Sequence, residues 1–150
     1  MALRSRSRVC AFSRRSTRYV ARLTQDDTLR VIQLFRKWMQ QPYFVLPYDD
    51  APLRYALHPL HTRWLFSLLA HLDRRLSGEE IAGLRALARS CIAALTHVRS
   101  LRAQAMVDSD EDFLEQESGA WMLLVIVAGA WGQRDLWDEA KARTSTPSAP

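Results

Sequence analysis

One short run of the chain, Asp108-Ser109-Asp110-Glu111-Asp112, carries alternating acids of the kind that could bind calcium. A calcium loop of the EF-hand type needs a glycine at its sixth position and a chelating glutamate at its twelfth. Phe113 and Gly119 occupy those two positions here. The spacing therefore argues against calcium binding, and we expect an acidic, solvated turn over residues 108–117.

The histidines and cysteines offer equally little for metal or nucleophilic chemistry. His58 and His61 are three residues apart, but no cysteine joins them and a proline lies between them. Cys10 and Cys91 form no C-x-x-C pair, and the five glycines form no phosphate-binding loop. No serine lies in a nucleophile elbow. We therefore predict no metal, no cofactor and no enzymatic activity, and expect the protein to act by binding.

The elements that would carry a binding surface are all helical. Apolar residues recur every three or four positions in four stretches, at about residues 26–40, 60–74, 77–102 and, starting at 113 or 120, up to 131. Ser77 and Glu80 form a capping box at the start of the third stretch. Residues 122–127 are apolar on every side, which predicts a fully surrounded helix. The sequence predicts an all-α fold, a compact bundle of four to five helices with a disordered basic N-terminal arm.

Segments outside these helices set the domain boundaries. We predict a basic arm over residues 1–22, a helical domain over 23–139 and a disordered, Ser/Thr/Pro-rich tail over 140–150, with a polar turn at 133–139. Residues 42–59 form a long connection with four prolines, which we interpret as an insertion of open role. The longest apolar run is shorter than the about 20 residues of a membrane span, so we predict no membrane partner.

The net charge of +5 is concentrated in the arm, because residues 1–22 hold seven arginines and no acid. The rest of the chain is slightly acidic. Three interpretations of the arm stay open. It could contact RNA or an acidic partner, it could be a mitochondrial targeting segment, or it could be an inert tail.

Three sequence blocks resemble one known family. They are Arg63-Trp64-Leu65-Phe66, the helix over 84–91 and Gln133-Arg134-Asp135-Leu136. Together they resemble the C-terminal helical domain of the SMN-interacting (Gemin-type) proteins over residues 23–139. The resemblance implies a non-enzymatic scaffold in spliceosomal snRNP assembly that holds one helix of the survival motor neuron (SMN) protein in a groove. It also implies contact with D-type Sm proteins, and a cytoplasmic and nuclear location.

The resemblance and the residue types together suggest five partner-binding residues. Arg63 matches the family arginine that pairs with an acid of the SMN helix, and Trp64 adjoins it. Arg134 and Asp135 match the closing motif, which could either tie its turn to the bundle or contact an Sm protein. Trp137 is an interface candidate on its own account, because tryptophan is enriched at binding hot spots.

Two expectations concern the whole protein. The family has a separate extended N-terminal half that wraps other Sm proteins, and this chain resembles the helical domain without that half. The alternative function is that of a small RNA-associated helical protein that binds through its Arg-rich arm. Binding of that kind should weaken steeply with salt.

Overall fold

The computed structural model describes residues 19–40, 57–105 and 111–145, and contains no strand among them. Its five helices are α1 (Gln25–Met39), α2 (Pro59–His71), α3 (Gly78–Ala105), α4 (Glu111–Ala130) and α5 (Arg134–Ser145). The predicted all-α bundle is confirmed. Most of the predicted arm (1–18), most of the connection over 42–59 and residues 146–150 lie outside the described residues.

Short polar interactions begin α1 and α3. Thr24 caps α1 by accepting a hydrogen bond from the backbone N–H of Asp27 at 3.2 Å. The capping box of α3 is confirmed. Glu80 accepts from the backbone N–H of Ser77 at 2.6 Å, and Ser77 Oγ accepts from that of Glu80 at 3.3 Å. These hydrogen bonds satisfy amide groups that a helix leaves unpaired at its start.

The helices run in two opposite directions around α3, the longest of them. Helices α1 and α5 lie parallel to α3, and α4 lies antiparallel to it; α2 lies parallel to α4. Inter-helix hydrogen bonds fix these directions: Gln25–Glu80, Gln40–Ser90, Arg85–Asp135, Arg89–Glu139, Arg99–Glu117 and Trp131–Asp73. The core fills the space between them, with Leu84, Leu87, Ile92, Leu123 and Leu124 fully buried.

An aromatic cluster joins α1 to α2. The ring of His61 lies 5.4 Å from that of Phe35 and 6.5 Å from that of Trp38. Burial among these rings, and the nearby His58, lower the pKa of His61 to about 4. The ring is therefore neutral near pH 7 and packs against its aromatic neighbours.

Helix α4 differs from its prediction in two ways. It begins at Glu111, so the acidic segment that we expected as a turn is helical from there on. It is also not fully surrounded: Met122 and Val125 are 38% and 47% exposed. A helix that is apolar all round carries no periodic signal of which side is buried, and here one side faces solvent.

The C-terminal prediction was wrong where it placed a turn at 133–139 and disorder from residue 140. Gly132 ends α4 with a positive φ of 69°, as expected, but α5 then runs from Arg134 to Ser145. Leu136 and Ala140 are both fully buried, and residues four apart share one helix face. This two-residue apolar face was too short to stand out from the Ser/Thr/Pro-rich end of the chain.

The boundary of the arm also changes. Val20 is only 3% exposed and belongs to the hydrophobic core. Its carbonyl oxygen accepts a hydrogen bond from the backbone N–H of Leu23 at 3.0 Å. The last residues of the predicted arm therefore pack with the bundle.

Helix α3 has a composition that would suit a membrane span. Its Gly78–Ser100 stretch is 23 residues long with a mean hydropathy of 1.2, and half of it is buried inside the protein. Arg85, Arg89 and Arg99 on this helix pair with acids of α4 and α5. These features are those of a central core helix, which meets the same length and hydropathy criteria.

Candidate partner-binding surface

The outer side of α4 presents exposed apolar side chains along its length. We call this the outer strip, and it consists of Leu114, Ser118, Met122, Val125 and Gly129. These residues recur at intervals of four, four, three and four, so they lie on one helix face. Leu114 is 46% exposed, comparable with the two other large members. Small Ser118 in the strip and Gly129 at its end leave room for a partner helix to approach closely.

Helix α2 borders the outer strip on one side. The two helices meet closely where Thr62 lies against Gly119: a Cβ on the glycine would be 2.8 Å from Thr62 Oγ1. Phe66 lies three residues after Arg63, which contacts Glu115 of α4, so the two side chains share one face of α2. Phe66 is 45% exposed and adds an apolar side chain to the exposed face of α2 beside α4.

Arg63 lies at the edge of this surface, beside α4. Its guanidinium contacts Glu115 of α4 at 3.4 Å, and both side chains are about half exposed, at 42% and 50%. An exposed ion pair of this kind contributes about 0–1 kcal/mol. Arg63 can therefore exchange Glu115 for an acid on a partner at little cost.

Trp64 lies on another face of α2. It lies two positions before Phe66, so a helical rotation of about 200° separates their side chains. Trp64 is half-buried and packs against the core. Trp64 therefore faces away from the outer strip, whereas Phe66 shares the Arg63 face of α2, which lies beside α4.

Helix α5 borders the outer strip on its other side and holds two of the remaining candidates. Trp137 packs edge-on against Trp121 of α4, with ring centroids 5.3 Å apart, and Lys141 Nζ lies 5.2 Å from the Trp137 ring. Arg134 begins α5 and lines an open cleft with Trp137 and Val125. Both residues therefore adjoin the outer strip.

Asp135 faces α3 instead. It accepts hydrogen bonds from both terminal nitrogens of Arg85, at 3.0 and 2.5 Å, and Gln133 accepts a further bond from Arg85. The Arg85 guanidinium holds the pKa of Asp135 below its usual range. In this structure Asp135 ties α5 to α3. Of the two roles predicted for its motif, this contact corresponds to the structural one.

Phe66, Met122 and Val125 are the surface residues that sequence reasoning missed. Phe66 was part of the matching motif, but an apolar side chain in an amphipathic helix is first assigned to the core. Met122 and Val125 lie in the run that is apolar all round, so no polar neighbours marked the exposed side. No group of three or more His, Cys, Asp or Glu suited to a metal occurs among the residues that the structure describes.

A family comparison bears on this surface. The family model for survival motor neuron (SMN) interacting protein 1, SIP1, matches residues 4–134. The chain belongs to the SIP1 family. SIP1 proteins are assembly factors rather than enzymes and are linked to the SMN complex and to snRNP assembly. No curated protein and no solved structure matched the chain.

The range of the SIP1 match differs from the predicted resemblance over 23–139. It starts at residue 4, so it includes most of the basic arm, and it ends at the first residue of α5. Arg63, Phe66 and the outer strip all lie inside it. Trp137 and the rest of α5 lie beyond it.

Proposed function

We propose that this protein is a non-enzymatic scaffold in spliceosomal snRNP assembly that binds an amphipathic helix of an SMN-type protein on the outer strip. SIP1 membership supplies the class of partner. The observation that carries the proposal is the exposed apolar surface of Phe66, Met122 and Val125. An amphipathic helix docks by laying its apolar face into such a surface between two helices.

Charge at the edge of the surface supports the same occupant. Arg63 is an arginine beside an apolar face, and its planar guanidinium suits a partner carboxylate. Its present partner Glu115 is held by a single contact at 3.4 Å. An acid on the partner helix would compete with Glu115 for the guanidinium of Arg63.

Further contacts belong to the same proposal. We assign D-type Sm proteins as additional partners, and cytoplasm and nucleus as the location, because snRNP assembly takes place there. Residues 1–22 are proposed to contact RNA through their seven arginines. Each of the three contacts can be tested by its own binding measurement.

Calorimetry with a synthetic SMN-type helix peptide tests the proposal. Arg63→Glu should weaken binding by about 2 kcal/mol, because the partner acid then faces a like charge. Arg30→Glu is the matched control, since Arg30 is an exposed arginine on α1. Equal affinities for the two variants would remove Arg63 from the site, and a peptide that fails to bind the unaltered chain would contradict the proposed function.

A further inference from the structure

The outer strip leads into a cleft between the end of α4 and the start of α5. The cleft has a volume of about 510 Å³ and is lined mainly by Val125, Ala128, Gly129 and Trp137. Pockets that enclose small ligands have volumes of about 300–1,000 Å³. The cleft is therefore large enough to take a bulky apolar side chain.

The floor of the cleft is open because of Gly129. A Cβ added at this residue would have no heavy atom within 4 Å. Trp137 forms a wall whose ring is already held by Trp121 and Lys141. An aromatic wall that is fixed before binding loses little conformational entropy on contact, which favours affinity.

Two opposite charges at the cleft have no partner within the part of the chain that the structure describes. Arg134 and Asp138 both line the cleft, and neither side chain makes an ion pair or hydrogen bond with another described residue. They are four residues apart on α5, a spacing that permits pairing, yet they do not pair. Arg134 also lies at the helix N-terminus, where a positive charge opposes the helix dipole.

We propose that the cleft is the anchor subsite for the partner helix, and that it recognises a large apolar side chain flanked by one acid and one base. The acid faces Arg134, the base faces Asp138, and the apolar side chain enters between Gly129 and Trp137. The acid and base on the partner are about one helical turn apart, matching the spacing on α5. This proposal rests on the proposed function, because it specifies the chemistry of the same partner.

Filling the cleft from its floor tests the subsite. Gly129→Leu places a side chain in the open space and should not lower the melting temperature, since leucine favours a helix more than glycine does. Gly78→Leu is the matched control: a Cβ there also meets nothing within 4 Å, and Gly78 does not line the cleft. In calorimetry with the SMN-type peptide, Gly129→Leu should weaken binding at least about tenfold, and Gly78→Leu less than about twofold.

Charge exchange tests the flanking pair. Arg134→Glu and Asp138→Lys should each weaken binding, more at low than at high salt. The double variant should bind a peptide with its acid and base exchanged more tightly than it binds the original peptide. No preference of the double variant for the exchanged peptide would overturn the assignment of the two charges.

The outcomes separate the subsite from the proposed function. Peptide binding that Met122→Glu abolishes and Gly129→Leu leaves unchanged would overturn the subsite and retain the function. If the peptide does not bind at all, titration with indole followed by NMR decides the subsite. Shifts at Gly129 and Trp137 that disappear in Gly129→Leu would support it, and their absence from the unaltered chain would overturn it.

Discussion

Arg63 and Asp135 each form an ion pair between helices, but with different geometry. Asp135 accepts two hydrogen bonds from Arg85, at 2.5 and 3.0 Å, whereas Arg63 reaches Glu115 by one contact at 3.4 Å. A two-bond arrangement holds both side chains in one orientation. The Asp135 pair therefore fixes α5 on α3, and the Arg63 pair leaves its arginine available to a partner.

Asp135→Asn should lower the melting temperature, though less than Leu136→Ala, which empties a core position. The pKa of Asp135 lies below its ordinary value of 3.8, so its contribution is complete above that pH and is lost as pH falls through the lower, folded value. Thermal melts at several pH values should show the gap between variant and original closing in acid. A gap that persists unchanged would mean that the carboxylate charge does not stabilise the fold.

Among the helices, the sequence predicted a feature formed within one turn, such as a cap, better than it predicted which helix faces are exposed. The start of α3 followed from Ser77 and Glu80, because a capping box is formed within one turn. The outer strip did not follow, since exposure of Met122 depends on where α2 and α5 lie. Helix α5 was missed because Leu136 and Ala140 are its whole buried face, and they become a core face only when α3 is beside them.

The close approach of α2 and α4 predicts that a larger residue at their contact will destabilise the fold. In Gly119→Ala the new Cβ would lie 2.8 Å from Thr62 Oγ1 and 2.9 Å from its Cγ2. We expect a loss of about 1–3 kcal/mol in unfolding free energy from this overpacking. Denaturant titration should show no such loss for Gly129→Ala, where the space is open.

Thr62→Ala provides the rescue for that variant. It removes both crowded atoms and also a buried hydroxyl that has no hydrogen-bond partner among the described residues. The double variant Thr62→Ala/Gly119→Ala should therefore recover most of the lost stability. Failure to recover it would show that the two helices are not limited by this contact.

For the whole molecule, the fold class and the family followed from the sequence, whereas the limits of the folded unit did not. Val20 is buried in the core, yet it follows an Arg-rich segment without a sustained apolar period. One valine carries too little pattern to be recognised before the bundle is known. The folded unit therefore starts before residue 23 and continues to Ser145 in α5.

Two N-terminal deletions test this boundary. A chain that starts at Tyr19 should melt at the same temperature as the full chain. A chain that starts at Leu23 should melt several degrees lower, because burying a valine contributes about 1.5–3 kcal/mol. Equal melting temperatures of the two deletions would return the boundary to residue 22. RNA binding can be measured on the same two chains. If both retain salt-dependent RNA binding, the arm has no role in RNA contact.

The proposed function depends on binding of the SMN-type helix to the outer strip. NMR titration of the isotope-labelled chain with the synthetic SMN-type peptide tests it most directly, because each residue reports its own environment. If the SMN-type helix lies on this surface, the largest shifts are expected at Arg63, Phe66, Met122 and Val125. The largest shifts at Leu34 and Trp38, the exposed apolar residues of α1, would contradict it.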